Sequence, residues 1–333
     1  MNRKEIFSLI ILIVVVSYGA YKYFTREYTE IRSKYILDTI VEISATSKSK
    51  NVSSEIERTF NLIHDLEGKF NEYNAESMLA KINSSEEEHF EMDPDLYELL
   101  VIADSLWQMT EGAFDPTIKP VWDLWNFGAE EPVIPDSLLI LAELEIVDFS
   151  RIKYDKEQLY KPRGMQITFG AIAKGYILDK ARDYMKERHL LKGFINSRSS
   201  MTFFGYKISP LVYIQHPRKD DNSIASFRVN NLSIGTSGDY QQYFELDGER
   251  YHHILNAHTG MPVPNIFSVT VVSDKAAWAD GLCTALFTMD PQEALEKVRA
   301  MPNTNTVIYY SQDDAIFSLK TEGMKSLHFN ENL

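Results

Sequence analysis

The sequence predicts an α+β fold, a mostly antiparallel sheet core with packed helices. Three observations predict it. Short runs of strand-like alternation recur along the chain, several of them joined by tight-turn residues such as Asp247-Gly248. Amphipathic helical stretches lie between them without a steady strand-helix-strand rhythm, which argues against a parallel sheet. The hydrophobic share, 44% of 333 residues, is enough to bury one large core or two modest ones.

The elements follow in order. Arg3 and Lys4 precede an aliphatic run over 6–21, so residues 1–27 are expected to be a membrane anchor or signal segment. Residues 28–333 are expected to form a single exported domain on the extracytoplasmic, periplasmic side of the cell membrane. Residues 22–35 have no clear period and are expected to be a tether. Alternation over 36–45 predicts a strand, and Ile56, Phe60, Ile63 and Phe70 at helical spacing predict a helix over 52–70. A helical turn over 77–83 and an acidic loop over 84–89 follow. Asp93-Pro94 then opens a helix over 95–109.

Phe114-Asp115-Pro116-Thr117 leads into an aromatic-rich loop with Trp122, Trp125 and Phe127, whose plain reading is a hydrophobic cluster at the core edge. A short helix over 137–144 precedes expected strands at 146–149, 158–160 and 165–168. A helix over 171–187 and sheet segments at 193–205 and 212–215 follow. The chain closes with a strand at 267–272, helices at 276–289 and 291–298, and strands at 306–310 and 315–319 about an Asp313-Asp314 turn. No internal repeat or low-complexity tract occurs.

Charge narrows the partners. With 34 basic against 48 acidic residues, the net charge of -14 argues against nucleic acid or an anionic membrane surface as the main partner. An anionic ligand here needs a local positive site or a metal ion. The single cysteine, Cys283, falls in an apolar run, so there is no disulfide framework and a buried thiol is expected.

Three stretches carry chemistry. Residues 241–246 and 249–255 read as a hairpin about Asp247-Gly248, with His252 and His253 on its second strand. Strand neighbours point to opposite faces, so only one of the two can look into a given pocket. His253, with Asp239 and Tyr240 on the partner strand, is a candidate general base, although a strand histidine is more often structural. Asp280 and Thr284 lie four apart on an otherwise apolar helix face. They offer a carboxylate and a hydroxyl to a hard cation, or else are satisfied by capping and backbone hydrogen bonds. Third, Gly170-Ala171-Ile172-Ala173-Lys174-Gly175 joins a strand to a helix, leaving free N–H groups and a lysine where a phosphate could sit. Its spacing fits neither a Walker loop nor a dinucleotide fingerprint, and small residues at such a junction often serve only close packing.

Together these stretches resemble the FAD:protein FMN transferases, the ApbE-type flavin transferases, from about Ile36 to Leu286. Six motifs occur in order: Tyr73 with Ser77 and Asn83; Ala113 to Pro116; Trp125-Asn126-Phe127-Gly128; the Gly170 turn; Thr236 to Tyr240 with His253 and Thr259-Gly260; and Ala279-Asp280 with Thr284. The resemblance implies Mg²⁺-dependent cleavage of FAD at its pyrophosphate and transfer of FMN to a threonine of a target flavoprotein. It implies that Asp280, Thr284 and the Ala171 carbonyl hold the ion. Leu37, Tyr73, Ala113, Phe114, Asp115, Thr168, Lys174 and Ile254 would contact FAD, with Asp280 and His253 catalytic. The chain departs from the pattern at Thr168, where the family has aspartate, at Asn256-Ala257, where it has Asp-Pro, and at Ser197-Arg198-Ser199-Ser200, where it shows two glycines. Those departures leave open a flavin-binding paralogue, or a hydrolase giving FMN and AMP.

Overall fold

The computed structural model of the chain describes residues 2–313 and 315–332. Its centre is an eight-stranded sheet whose strands lie side by side in chain order: β1 (Tyr28–Ile36), β2 (Thr39–Ser47), β3 (Lys192–Asn196), β4 (Ser200–Phe204), β5 (Ser233–Gly238), β6 (Ile266–Ser273), β7 (Asn305–Gln312) and β8 (Ala315–Lys320). Every pairing in it is antiparallel. The helices are α1 (Arg3–Phe24), α2 (Val52–Phe70), α3 (Met78–Ser84), α4 (Pro94–Met109), α5 (Lys119–Trp125), α6 (Ser137–Leu144), α7 (Ala173–Glu187), α8 (Ala276–Phe287) and α9 (Pro291–Arg299).

Alternation divides the core between the two faces of the sheet. Phe204, Val271 and Ile308 point to the main cluster with α2, α4, α7 and α8. Their neighbours Phe203, Val272 and Val307 point to a second cluster under the strands Leu211–His216 and Lys219–Arg228. Within α2, Ile56, Phe60, Ile63 and Phe70 are buried at the expected spacing. Asp93 caps α4 by accepting from the N–H groups of Asp95 and Leu96, with Pro94 at its start.

The helix α8 lies unusually close to its neighbours. A Cβ on Gly175 would overlap the Ala276 carbonyl, and one on Gly235 the Ala279 carbonyl. Only glycine lets α7 and β5 approach α8 at those points.

Several expectations need correction. The tether at 22–35 is the end of α1 followed by the edge strand β1, in which only Ile36 is buried. The strand expected over 36–45 is broken by a two-residue turn at Leu37 and Asp38, both with positive φ. The aromatic stretch is largely helical, as α5, and its side chains form the hydrophobic cluster expected at the core edge. At 146–149 no strand forms: Asp148 accepts from Ser150 N and starts a 3₁₀ turn, Phe149–Arg151.

At 165–168 no strand forms either, because side chains take the backbone groups. Asn83 bonds both the N–H and the carbonyl of Ile167, Lys161 Nζ donates to the Met165 carbonyl, and Thr168 N–H goes to Pro116. The strands His89–Glu91 and Lys219–Arg228 were not anticipated. In the expected Asp313-Asp314 turn, Asp314 lies outside the described residues.

Helix α1 is exposed along its whole length, and with 22 residues and a mean hydropathy of 1.8 it is long and apolar enough to cross a membrane. At 1.5 Å per residue it spans about 33 Å, the thickness of a hydrocarbon core.

Candidate functional site

The site is built where α7 and α8 meet β4 and β5. Asp280, on α8, is buried at 6% exposure. Its Oδ2 accepts the Gly175 N–H at 2.9 Å and its Oδ1 the Ser200 hydroxyl at 2.6 Å. It therefore caps a neighbouring helix rather than its own. Gly175 lies in the first turn of α7, where backbone N–H groups have no carbonyl of their own helix to bond, and Asp280 supplies the missing acceptor.

One turn further along α8, the Thr284 hydroxyl lies 2.8 Å from the Ser237 hydroxyl on β5, which is also 3.1 Å from Cys283 Sγ. Burial pushes the Asp280 carboxyl up, and Lys174, the Ser200 hydroxyl and the Gly175 N–H pull it back. No cation lies within ion-pair distance of Asp280 among the described residues. Lys174, at the start of α7, makes no hydrogen bond or ion pair there, yet its charge reaches both Asp280 and His253.

The two histidines take different parts. The hairpin pairs Tyr243–Leu246 with Glu249–His252, and Asp247 and Gly248 both have positive φ, as a tight primed turn requires. His252, its last strand residue, has both ring nitrogens occupied: Nε2 donates to the Val263 carbonyl at 2.9 Å and Nδ1 accepts the Ile254 N–H at 3.2 Å. His253 lies just past the strand. Its Nδ1 faces the Gln242 carbonyl at 3.1 Å, which fixes the proton there and leaves Nε2 as the acceptor. Burial first, then His252 and Lys174, hold its imidazole down to about 4 against the Gln242 carbonyl.

Two tryptophans of α5 clamp this segment. Trp122 Nε1 donates to the His253 carbonyl at 3.2 Å and Trp125 Nε1 to the Gly260 carbonyl at 2.8 Å. The Ala113 carbonyl accepts the Ala257 N–H, which ties the loop carrying Ala113, Phe114 and Asp115 to the loop carrying Ile254. Ala113, Phe114 and Ile254 are buried.

Asp115 is the knot of that corner. Its oxygens accept from Trp107 Nε1, the Phe149 N–H and both the N–H and hydroxyl of Thr117. Its side chain is thus committed to the protein's own structure. Tyr73 is 65% exposed, its ring 6.5 Å from Trp122 and 5.1 Å from the Lys119 ammonium. Thr168 Oγ1 accepts the Gly170 N–H at 3.2 Å. Leu37 is buried in the β1–β2 turn, with its N–H on Glu67, and the turn brings Asp38 within electrostatic reach of Tyr73.

The expected residues thus form two groups. Asp280 and Thr284 on α8 lie across from the first turn of α7, which carries Lys174 and follows Ala171 in the chain, with His253 in reach of Lys174. Tyr73 lies against Trp122, which also holds the segment leading into Ile254 through the His253 carbonyl, and the Ala113–Ala257 hydrogen bond joins the loop carrying Ala113 and Phe114 to that segment. Sequence reasoning missed Ser200, 80 positions from its partner Asp280, and no local signal marks it. Among the described residues no three His, Cys, Asp or Glu side chains converge in a metal-holding cluster. The donor set at the crossing is carboxylate, hydroxyl and carbonyl oxygen, which suits a hard divalent cation.

The chain is similar to proteins of known family. The sequence model of the ApbE family matches residues 37–308. A FAD:protein FMN transferase of Klebsiella pneumoniae (strain 342) is 31% identical over 268 residues, 78% of this chain and 84% of that protein. A FAD:protein FMN transferase of Vibrio cholerae is 29% identical over 261 residues, covering 76% of this chain and 77% of its own. The crystal structure of an ApbE protein from Thermotoga maritima superposes with a TM-score of 0.82 at 29% identity, covering 90% of this chain and 99% of that one.

Proposed function

The chain belongs to the ApbE family, and from that membership we propose that it transfers FMN from FAD to a threonine hydroxyl of a target flavoprotein, releasing AMP. The observation that carries the reading is Asp280: a buried carboxylate held by the neutral Gly175 N–H and Ser200 hydroxyl, with no cation in contact among the described residues. A buried, unbalanced carboxylate is costly unless a cation joins it. Asp280, Thr284 and the Ala171 carbonyl are the residues that would hold Mg²⁺. When bound, the ion would offset the negative charge of the pyrophosphate and of the departing AMP.

The chain's own groups supply the rest. Lys174 is an uncommitted ammonium at a helix N-terminus, suited to a phosphate oxygen. His253 Nε2 takes the proton from the acceptor threonine hydroxyl as its oxygen forms a bond to the FMN phosphorus. The bond from that phosphorus to the bridging oxygen breaks, and the oxygen leaves with AMP. Trp122 holds the His253 backbone through its carbonyl and so fixes where the imidazole stands. Tyr73, Ala113, Phe114 and Ile254 form the wall for the flavin, while Leu37, Asp115 and Thr168 support it from behind.

Residues 28–333 make up the transferase unit and 1–27 its anchor in the cell membrane, with the unit on the extracytoplasmic side. The exposure and apolar length of α1 support the anchor.

The test uses the full chain in detergent with FAD, Mg²⁺ and a threonine-bearing acceptor. Covalent flavin fluorescence on the acceptor, lost on adding EDTA, is the expected result. AMP release without labelling would replace transfer by hydrolysis, and intact FAD bound without turnover would make the protein a flavin-binding module.

A further inference from the structure

Among the described residues, 12 non-glycine residues have positive φ, and nine of them are Asn, Asp or His, which tolerate it. The other three are Leu37, Glu111 and Arg198. All three border the site: Leu37 in the turn near Tyr73, Glu111 two residues before Ala113, and Arg198 two residues before Ser200. Backbone strain in residues that do not favour it collects at functional positions.

Arg198 is the one with a charge to offer a ligand. It sits at φ 70 in the loop joining β3 to β4. The loop is fixed by its own hydrogen bonds: Arg198 N–H to Asn196 Oδ1 at 2.8 Å, and the N–H and hydroxyl of Ser197 to the Ser200 carbonyl at 2.9 and 3.0 Å. The Thr236 N–H joins it to β5 through the Ser199 carbonyl at 2.8 Å. Ser200 in turn holds Asp280 at 2.6 Å. At most about 7 Å of chain separates the Arg198 backbone from that contact.

The guanidinium itself is exposed and makes no hydrogen bond, ion pair or ring contact among the described residues. In a chain with a net charge of -14, it is a free cation held in a strained, rigid loop beside the proposed metal position.

Resting on the transferase reading above, we propose that Arg198 is a substrate-recognition residue whose guanidinium binds a phosphate of the dinucleotide. Arginine suits that task, since its planar fork gives a phosphate two parallel hydrogen bonds. The contact acts on ground-state binding, so KM carries the effect and kcat does not.

The experiment compares the full-length protein with Arg198→Gly and Arg198→Lys. It measures KM and kcat for FAD, inhibition by AMP and by FMN, and unfolding temperature without ligand. In the glycine variant KM should rise about tenfold with kcat within about twofold, while the unfolding temperature holds or rises, because glycine adopts the positive φ freely. The lysine variant should recover part of the loss. Whichever of AMP and FMN loses affinity names the half whose phosphate is bound. If KM and both inhibition constants stay within about twofold of the parent while the parent transfers flavin, this proposal fails and the transferase reading stands. If the parent neither binds nor cleaves FAD, both fail together.

Discussion

Asp179 and Asp280 make an instructive pair. Each of two crossing helices lends a carboxylate to the other's first turn: Asp179 of α7 accepts the Ala277 N–H at 3.0 Å, and Asp280 of α8 the Gly175 N–H at 2.9 Å. Both are buried, and burial pushes both carboxyls up. They part company in how the charge is balanced. Asp179 has the buried Arg182 guanidinium at 2.7 Å, and Arg182 also reaches Thr202, Asp183 and the Asp274 carbonyl. Asp280 has a serine, a backbone N–H and a lysine that acts from beyond contact. The first is a complete structural joint. The second is the same joint left one positive charge short, and that deficit separates scaffold from chemistry.

Exchanging each carboxylate for its amide tests that contrast most directly. Asp280→Asn should lower flavin transfer on the order of a thousandfold while the unfolding temperature of metal-free protein holds or rises, since an unbalanced buried charge has gone. If Asp280→Asn unfolds the protein and spares activity per folded molecule, the contrast is reversed.

Next in size is His253→Ala, expected to slow transfer about a hundredfold with little change in KM. With its imidazole held down to about 4, the base stays unprotonated as the pH falls. The acid limb of kcat/KM should therefore lie near that value rather than at the ordinary histidine value of about 6.5. A limb at the ordinary value, unchanged in His253→Ala, would assign it to another group.

Asp179→Asn should cost about 2–3 kcal/mol of stability, read by denaturant titration, because Arg182 then keeps only its weaker partners. Activity per folded molecule should stay close to the parent's. The smallest expected effect is that of Thr284→Val, a roughly tenfold rise in the Mg²⁺ concentration for half-maximal transfer at unchanged stability. An equal response from Cys283→Ala would mean that packing, not the hydroxyl, matters at that turn.

Sequence carried the helices better than the irregular segments. The apolar spacing of Ile56, Phe60 and Ile63 made α2 legible because that stripe packs on the core. The edge strand β1 was misread as a tether, since a strand exposed over most of its length shows no alternation. Residues 165–168 have the composition of a strand, but their backbone groups go to Asn83 and Lys161. Asn83 stands 84 positions away, beyond any local pattern. At the site, Asp280 and Thr284 were readable as one helix face because their spacing is local. Ser200, which meets Asp280 through the tertiary fold, was not. Sequence named His253 rather than His252, but the ring-nitrogen contacts that separate the two depend on the tertiary fold.

The lone cysteine gives the site a built-in clock. Cys283 sits between Asp280 and Thr284, its Sγ donating to the Asp280 carbonyl at 2.9 Å, and burial pushes the thiol well above the usual range. It is therefore protonated and shielded from alkylating reagents while α8 stays packed. A maleimide reaction would register only molecules in which that helix has lifted away. The labelling rate would then read the opening of the α7–α8 crossing, and its slowing by added Mg²⁺ would follow ion binding without any turnover.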